Sequence, residues 1–211
     1  MIIFIMNLYE RNFINMKEET YNKQNRLLDN AFKLFTQKGV KETSIQEIVD
    51  NANVAKGTFY LYFKDKYEIR DILISKKSTK LFNSALKDLR KTNIKILSDQ
   101  IIFIVDHVIN ALVKNPLLLK FISKNLSWGI YNQTVQKIYQ ENSNEENGIL
   151  QLFLKGIEEN NIKLENPEVT LYMIIELVSS TCFNSILYNF PLPIEEFKPF
   201  LYNTIKKLIN E

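Results

Sequence analysis

The sequence predicts an all-α protein, an N-terminal three-helix domain followed by a larger helical bundle, with about nine helices in all. Three observations lead there. Glycine and proline number only five each and fall mostly at the edges of apolar-periodic stretches, which leaves long uninterrupted helices. Apolar residues recur three and four positions apart, and no alternating strand pattern competes with them. The stretch Thr43 to Lys66, TSIQEIVDNANVAKGTFYLYFKDK, compresses two short helices, a tight turn and the opening of a third helix into one run, the layout of a helix-turn-helix.

The chain opens on Met1 to Met6, which is apolar but short, lacks a basic flank and is followed by Asn7, Glu10 and Arg11. Neither a signal peptide nor a membrane span is expected from it. Met16 offers a second start; residues 1 to 15 read as a translation-start artefact or frayed tail in preference to an arm that touches DNA. From about Glu18 to Lys38, Leu28, Ala31, Phe32 and Phe35 mark an amphipathic helix that Gly39 closes.

The next helix is expected where Thr43 and Ser44 precede Ile45, Ile48 and Val49, with Gln46 as the partner of Thr43 in a capping box. It ends at Asn51-Ala52-Asn53, because asparagine tolerates left-handed backbone. A second short helix, about Ala55 to Tyr62, places Phe59 and Phe63 on an inner face, against the first helix and Phe32 or Phe35, and Gly57, Thr58, Tyr60 and Leu61 on an outer arc. That arc suits a DNA major groove. Gly57 permits close backbone approach, Lys56 and Tyr60 reach phosphates, and Thr58 and Leu61 reach base edges or a thymine methyl. Asp65 is the expected N-cap of the following helix, whose free amides would join Lys66 in a phosphate site.

Tyr67 to about Lys91 reads as one long helix through Ile69, Leu73, Phe82, Leu86 and Leu89, with Ser75 to Lys80 as a solvated face. Ile94 to Val113 is apolar nearly all round and is expected at the centre of the bundle. Its polar residues are therefore informative: Phe103, His107 and Asn110 share a face, with Asp106 beside it, and either line a ligand cavity or satisfy one another. A helix from Pro116 is expected to break near Ser127-Trp128-Gly129, where Trp128, Tyr131 and Tyr139 cluster as pocket wall or as plain packing. After a polar stretch from Asn142 to Gly148, Ile149, Leu150, Phe153, Leu154 and Ile157 form the face of another helix.

Pro167 opens a long apolar helix through Tyr188, with small Ser179 and Ser180 midway, and Pro191-Leu192-Pro193 ends it. The last helix carries Phe197, Phe200, Leu201, Ile205 and Leu208, with a restart at Pro199. Two such helices closing a chain present a large apolar surface, able to pair with its copy in a four-helix interface.

Composition narrows the functions. A net charge of +3 is too small for nonspecific coating of nucleic acid, so DNA affinity must come from locally placed charge. Cys182 is the only cysteine, in an apolar context that favours a plain buried thiol over a redox sensor. His107 is the only histidine, so neither a usual transition-metal site nor a cofactor is expected. No other segment reads as a membrane helix. An enzyme would have to use Asp106, His107 and Glu176, since no phosphate loop or nucleophile elbow occurs.

Residues 24 to 73 resemble the TetR family of bacterial repressors, most specifically in the run K-G-T-F-Y-x-Y-F-x-x-K, here Lys56 to Lys66. Asn53 stands where that family often has glycine and Ala55 where it often has a serine cap; the first substitution keeps the turn and the second forfeits about 1 kcal/mol. The resemblance implies a helix-turn-helix DNA-binding domain over 17–66 and a helical effector-binding and dimerisation domain over 67–211. It implies a DNA-contact set of Thr43, Ser44, Lys56, Gly57, Thr58, Tyr60, Leu61, Tyr62 and Lys66, and a double-stranded operator as partner. A soluble, cytoplasmic homodimer released from a pseudo-palindromic operator by a small-molecule effector is the resulting expectation, with no membrane partner and no enzymatic activity. Phe103, Asp106, His107, Asn110, Trp128, Tyr131 and Glu176 are the candidate effector pocket. A helical adaptor, or an enzyme using Asp106, His107 and Glu176, is the alternative.

Overall fold

The structure, a computed structural model, describes residues 22–122, 125–131 and 148–210, apart from the side chains of residues 128, 130 and 131. Every regular element among the described residues is a helix. The chain forms two compact units, Met1–Leu73 and Ile74–Glu211. The N-terminal residues before 22, the polar stretch 142–147 and Tyr139 fall outside the described residues.

In the first unit, helix α1 (22–38) buries Leu27, Leu28, Ala31 and Phe35. It stops at Gly39, whose φ of +88° is open to glycine without strain and whose N–H returns to the Phe35 carbonyl. Helix α2 (Ile45–Ala52) does have a capping box, but one residue later than the sequence reading places it. Ser44 is the N-cap: its Oγ accepts the Glu47 N–H at 3.2 Å, and Glu47 Oε2 accepts the Ser44 N–H at 2.9 Å. Thr43 is buried and its hydroxyl donates to the Gly39 carbonyl, while Gln46 faces solvent and donates to Asp50. The glutamate wins because Lys38, at the end of α1, pairs with it from the other side. Asn53 ends α2 in left-handed backbone, φ 51°, as its residue type suggested.

Helix α3 (Lys56–Tyr62) starts at Ala55, which supplies no side-chain cap. Phe59 and Phe63 are almost wholly buried, their rings 5.7 Å apart. Asp65 Oδ1 accepts the N–H groups of Tyr67 and Glu68 and so caps helix α4 (Lys66–Leu89).

The second unit holds the rest of α4 with α5 (Leu97–Lys114), α6 (Pro116–Ile122), α7 (Leu126–Tyr131), α8 (Ile149–Glu159), α9 (Pro167–Tyr188) and α10 (Ile194–Asn210). The central position goes to α9, which packs on α5, α6, α7, α8 and α10. Helix α5 begins later than its apolar run, at Leu97, because Ile96 is an exposed N-cap residue. Asn166 caps α9 by accepting the Val169 N–H, with Pro167 in the first turn where no N–H is needed. Pro199 lies inside a single continuous α10 rather than restarting it.

The Ser75 to Lys80 segment is not a solvated face: Ser75 and Ser78 are buried, and Ser75 Oγ donates to the Gly129 carbonyl at 3.1 Å. Nor does the helix break at Ser127-Gly129; α6 ends at Ile122, and both residues lie within α7. One cause explains both. A Cβ on Gly129 would stand 2.9 Å from Ser78 Oγ and 3.3 Å from the Ile74 carbonyl, so α4 and α7 cross where small residues face each other.

Contrary to the expectation that no other segment reads as a membrane helix, the 22-residue α9 is long and apolar enough to cross a membrane, with a mean hydropathy of 1.4. Its burial among five helices is that of a core helix. Within it Cys182 is buried, and desolvation pushes its thiol up to about 12, which leaves it unreactive.

Candidate nucleic-acid interface and effector groove

The outer arc of α3 is open. Leu61 is 80% exposed and Tyr60 54%; Lys56 and Gly57 are exposed, while Thr58 and Tyr62 are half-buried. A large aliphatic side chain in water gains nothing from folding, and a helical glycine costs about 1 kcal/mol relative to alanine. Among the described residues nothing asks for either one: a Cβ on Gly57 would meet none of their atoms within 4 Å. Both make sense against an outside surface that approaches the backbone closely.

Three members of the expected DNA-contact set are placed differently. Thr43 is 1% exposed, so its side chain is removed from the contact surface. Ser44 Oγ both accepts from and donates to Glu47 within the capping box. Lys66 Nζ donates to the carbonyls of Lys41 and Thr43, at 2.7 and 2.9 Å. The amides expected to be free at the start of α4 are also engaged, those of Tyr67 and Glu68 by Asp65 and that of Lys64 by the Glu68 carboxylate. Glu47 itself, hydrogen-bonded by the Lys38 side chain and by Ser44, has its carboxyl held down at about 2. The sequence reading missed Tyr67, an exposed ring with Lys66 Nζ 5.6 Å and Arg70 5.4 Å from its centroid.

In the second unit, Phe103, Asp106, His107 and Asn110 do come together, lining with Ala111 and Lys114 a groove of about 350 Å³. The polar groups are largely satisfied by neighbours. Asp106 Oδ1 accepts from the Tyr202 hydroxyl at 2.6 Å, and Asp106 Oδ2 accepts from Asn110 Nδ2 at 2.8 Å. Lys198 Nζ donates to Asn110 Oδ1 at 2.8 Å and lies 3.2 Å from Asp106 and 2.9 Å from Glu195. Burial pushes the Asp106 carboxyl up, yet bonds from Tyr202, Lys198 and Asn110 outweigh it and leave the group below the ordinary carboxylate value. Burial likewise works against charge on Lys198, and Glu195 and Asp106 more than compensate. His107 turns the other way, toward α4, with Nε2 3.1 Å from Ser84 Oγ and Nδ1 3.6 Å from Asp88 Oδ2.

The remaining pocket expectations divide. Glu176 does not line the groove; its carboxylate accepts from Ser127 Oγ, joining α9 to α7. The trio Asp106, His107 and Glu176 is therefore not assembled by hydrogen bonds, and each has other partners. The side chains of Trp128 and Tyr131 lie outside the described residues. Lys198 and Tyr202 were missed, although a lysine on the buried stripe Ile194, Lys198, Leu201, Ile205 was a readable signal. A second space, of about 20 Å³, is wholly apolar, lined by Phe82, Val105, Leu126, Ile149, Ile175 and others. It has room for little more than a water molecule.

Residues 27–71, which span α2, α3 and the capped start of α4, match the family of bacterial regulatory proteins named tetR. The match covers the helix-turn-helix segment and leaves the rest of the chain unmatched by that family. The uncharacterised HTH-type transcriptional regulator YhgD of Bacillus subtilis is 27% identical over 173 residues, 77% of this chain and 84% of that one. The regulator AcrR of Shigella flexneri is 42% identical over 53 residues, 25% of each chain. Among solved structures, the Bacillus subtilis regulator FadR in complex with stearoyl-CoA superposes with a TM-score of 0.61 at 16% identity, covering 88% of this chain and 99% of that one. RolR in complex with resorcinol gives a TM-score of 0.66 at 14% identity, covering 92% and 90%. At those identities the two structures establish the fold.

Proposed function

We propose that this chain is a tetR-family regulator, a cytoplasmic, homodimeric repressor that occupies a pseudo-palindromic operator and leaves it when a small molecule binds. The outer arc of α3 carries the reading: exposed Leu61 and Tyr60 beside a glycine that no packing among the described residues requires. Thr58 and Leu61 read base edges, Gly57 lets the backbone approach, and Lys56, Tyr60 and Tyr62 meet phosphates and sugars.

The α9 and α10 faces with exposed Val169, Tyr172, Met173 and Phe200 support a dimer, because each is apolar surface left in water by one copy. The structurally similar FadR and RolR are seen with stearoyl-CoA and resorcinol. For this chain, the effector site is the groove of Phe103, Asp106, His107 and Asn110, whose volume of about 350 Å³ far exceeds that of the apolar cavity. His107 bonds to α4, which begins in the first unit and ends in the second. A ligand that prefers one arrangement of α4 and α5 shifts the population between arrangements, and in a dimer that changes the spacing of the two α3 helices away from one turn of DNA. An enzymatic role has less support, since Glu176 is engaged by Ser127 away from the groove.

Selection from a random-sequence duplex pool tests the proposal. Wild-type protein should enrich an inverted repeat. Changing Thr58 or Leu61 to alanine should then alter base preference at one position per half-site by about 1–3 kcal/mol, whereas Lys56→Ala should weaken all DNA and flatten the salt dependence. A pool that stays unenriched sinks the DNA-binding reading.

A further inference from the structure

We infer that Lys66 is a positioning residue for the recognition helix, fixing the α1–α2 turn; the inference rests on the DNA-binding reading above. An ammonium has three N–H donors and no acceptor. Two donors of Lys66 are engaged by the carbonyls of Lys41 and Thr43, at 2.7 and 2.9 Å. The Tyr67 ring, 5.6 Å from Nζ to its centroid, takes up much of the remaining side of the cation. A phosphate approaching the cation would compete with these partners for it.

Both carbonyls lie in the turn that sets where α2 begins. Thr43, buried at 1% exposure, ties the same turn inward by donating to the Gly39 carbonyl at 2.8 Å. Ser44, the next residue, is the N-cap of α2. Lys38 and Glu47 join the end of α1 to the first turn of α2. Lys66 is the residue that ties this turn to the start of α4, 25 and 23 positions along the chain. The orientation of α2, and with it of α3, is therefore held at both ends: α4 follows α3 directly through Phe63 to Asp65, and Lys66 brings the start of α4 back to the entry of α2.

A phosphate contact and a positioning contact differ in what they discriminate. A lost phosphate contact weakens every duplex alike and lowers the salt slope by about one unit. A lost positioning contact misaims base-reading side chains, so it lowers the preference for the right sequence and leaves nonspecific binding and its salt slope in place.

The test compares wild type, Lys66→Met and Lys66→Arg, each as the full chain and well below its melting temperature. Binding is measured to a duplex that wild type enriches from a random pool and to an unselected duplex of equal length, across a salt series. Lys66→Met should lose about tenfold or more of the ratio of selected to unselected affinity, with the unselected affinity and slope unchanged, and Lys66→Arg should restore most of that ratio because its guanidinium can again donate to two carbonyls. Amide exchange without DNA gives a second readout: Thr43 to Glu47 should exchange faster in Lys66→Met than in wild type or Lys66→Arg. Equal weakening of both duplexes with a flatter salt slope, or unaltered exchange in Lys66→Met, would overturn the inference. Failure of wild type to enrich any sequence would instead overturn the DNA-binding reading, while the exchange experiment would still decide whether Lys66 holds the turn.

Discussion

Lys198 on α10 reaches across to Asn110 on α5, its buried ammonium donating to Asn110 Oδ1 at 2.8 Å. The same cation pairs with Asp106 and Glu195, so one lysine in an otherwise apolar stripe joins two helices that are distant in sequence. Lys198→Ala is expected to lower unfolding stability by about 1–3 kcal/mol, less than a closed ion pair would, because the Asp106 side chain is 41% exposed. Urea titration checks this. A double change to Lys198→Met with Asp106→Asn should cost less than Lys198→Ala alone, since no charge is then left without its partner.

Acid should expose the α2 cap. Glu47 is held at about 2 against an ordinary value of 4.5, chiefly by the Lys38 hydrogen bond. Its folded pKa is depressed, so its contribution is present above about 4.5 and is lost as pH falls toward about 2. Stability measured from pH 6 down to pH 2 should fall less steeply in Glu47→Gln than in wild type. At neutral pH, Ser44→Ala should cost about 1 kcal/mol as a lost N-cap. An unchanged pH profile in Glu47→Gln would remove the capping box from the account.

Two glycines should respond in opposite directions. Gly129→Ala drives a methyl against Ser78 Oγ and the Ile74 backbone, and should destabilise the protein by about 1–3 kcal/mol. Gly57→Ala meets nothing, and should stabilise α3 by about 0.5–1 kcal/mol. Yet Gly57→Ala should weaken DNA binding, because the obstruction lies outside the protein. Thermal melts and a binding isotherm on a selected duplex separate the two cases.

The proposed dimer can be broken at its surface without disturbing a core. Met173 and Phe200 are 46% and 65% exposed, so glutamate at either position is tolerated by the single chain and opposed by a partner. Sedimentation of Met173→Glu with Phe200→Glu should show a folded monomer with weakened operator binding. A dimer of wild-type affinity in that variant would place the interface elsewhere.

Effector response should follow the groove and ignore the apolar cavity. Phe103→Ala and Asn110→Leu alter the groove, whereas Val105→Ile alters only the cavity wall. With a compound found by thermal-shift screening, the first two should change the concentration needed for release by about tenfold or more while effector-free affinity stays within a few-fold. If Val105→Ile alone shifts the response, the ligand enters the core.

Much of this protein is determined by its local sequence. Gly39, Asn53, Asp65 and Pro167 mark helix ends, and each holds the position its residue type demands, because a cap or a left-handed turn is a matter of a few neighbouring atoms. The buried Phe59 and the exposed Leu61 were legible from helical spacing alone. Local signals could not choose between two adjacent capping boxes: Thr43 with Gln46 and Ser44 with Glu47 look alike until Lys38 arrives from α1 to pair with Glu47.

Tertiary structure decided which polar groups are free. Lys66 and Ser44 look like DNA contacts in the chain, yet folding brings two carbonyls to the Lys66 ammonium and a carboxylate to the Ser44 hydroxyl. Asp106 and His107, neighbours in sequence on successive helical positions, turn to different helices, α10 and α4. Lys198 joins Asn110 from 88 residues away and Tyr202 joins Asp106 from 96, distances no periodicity spans. The physical reason is common to all of these. Helix ends and faces follow from bonds between neighbours, whereas the availability of a donor depends on every group that packing brings within about 3 Å of it.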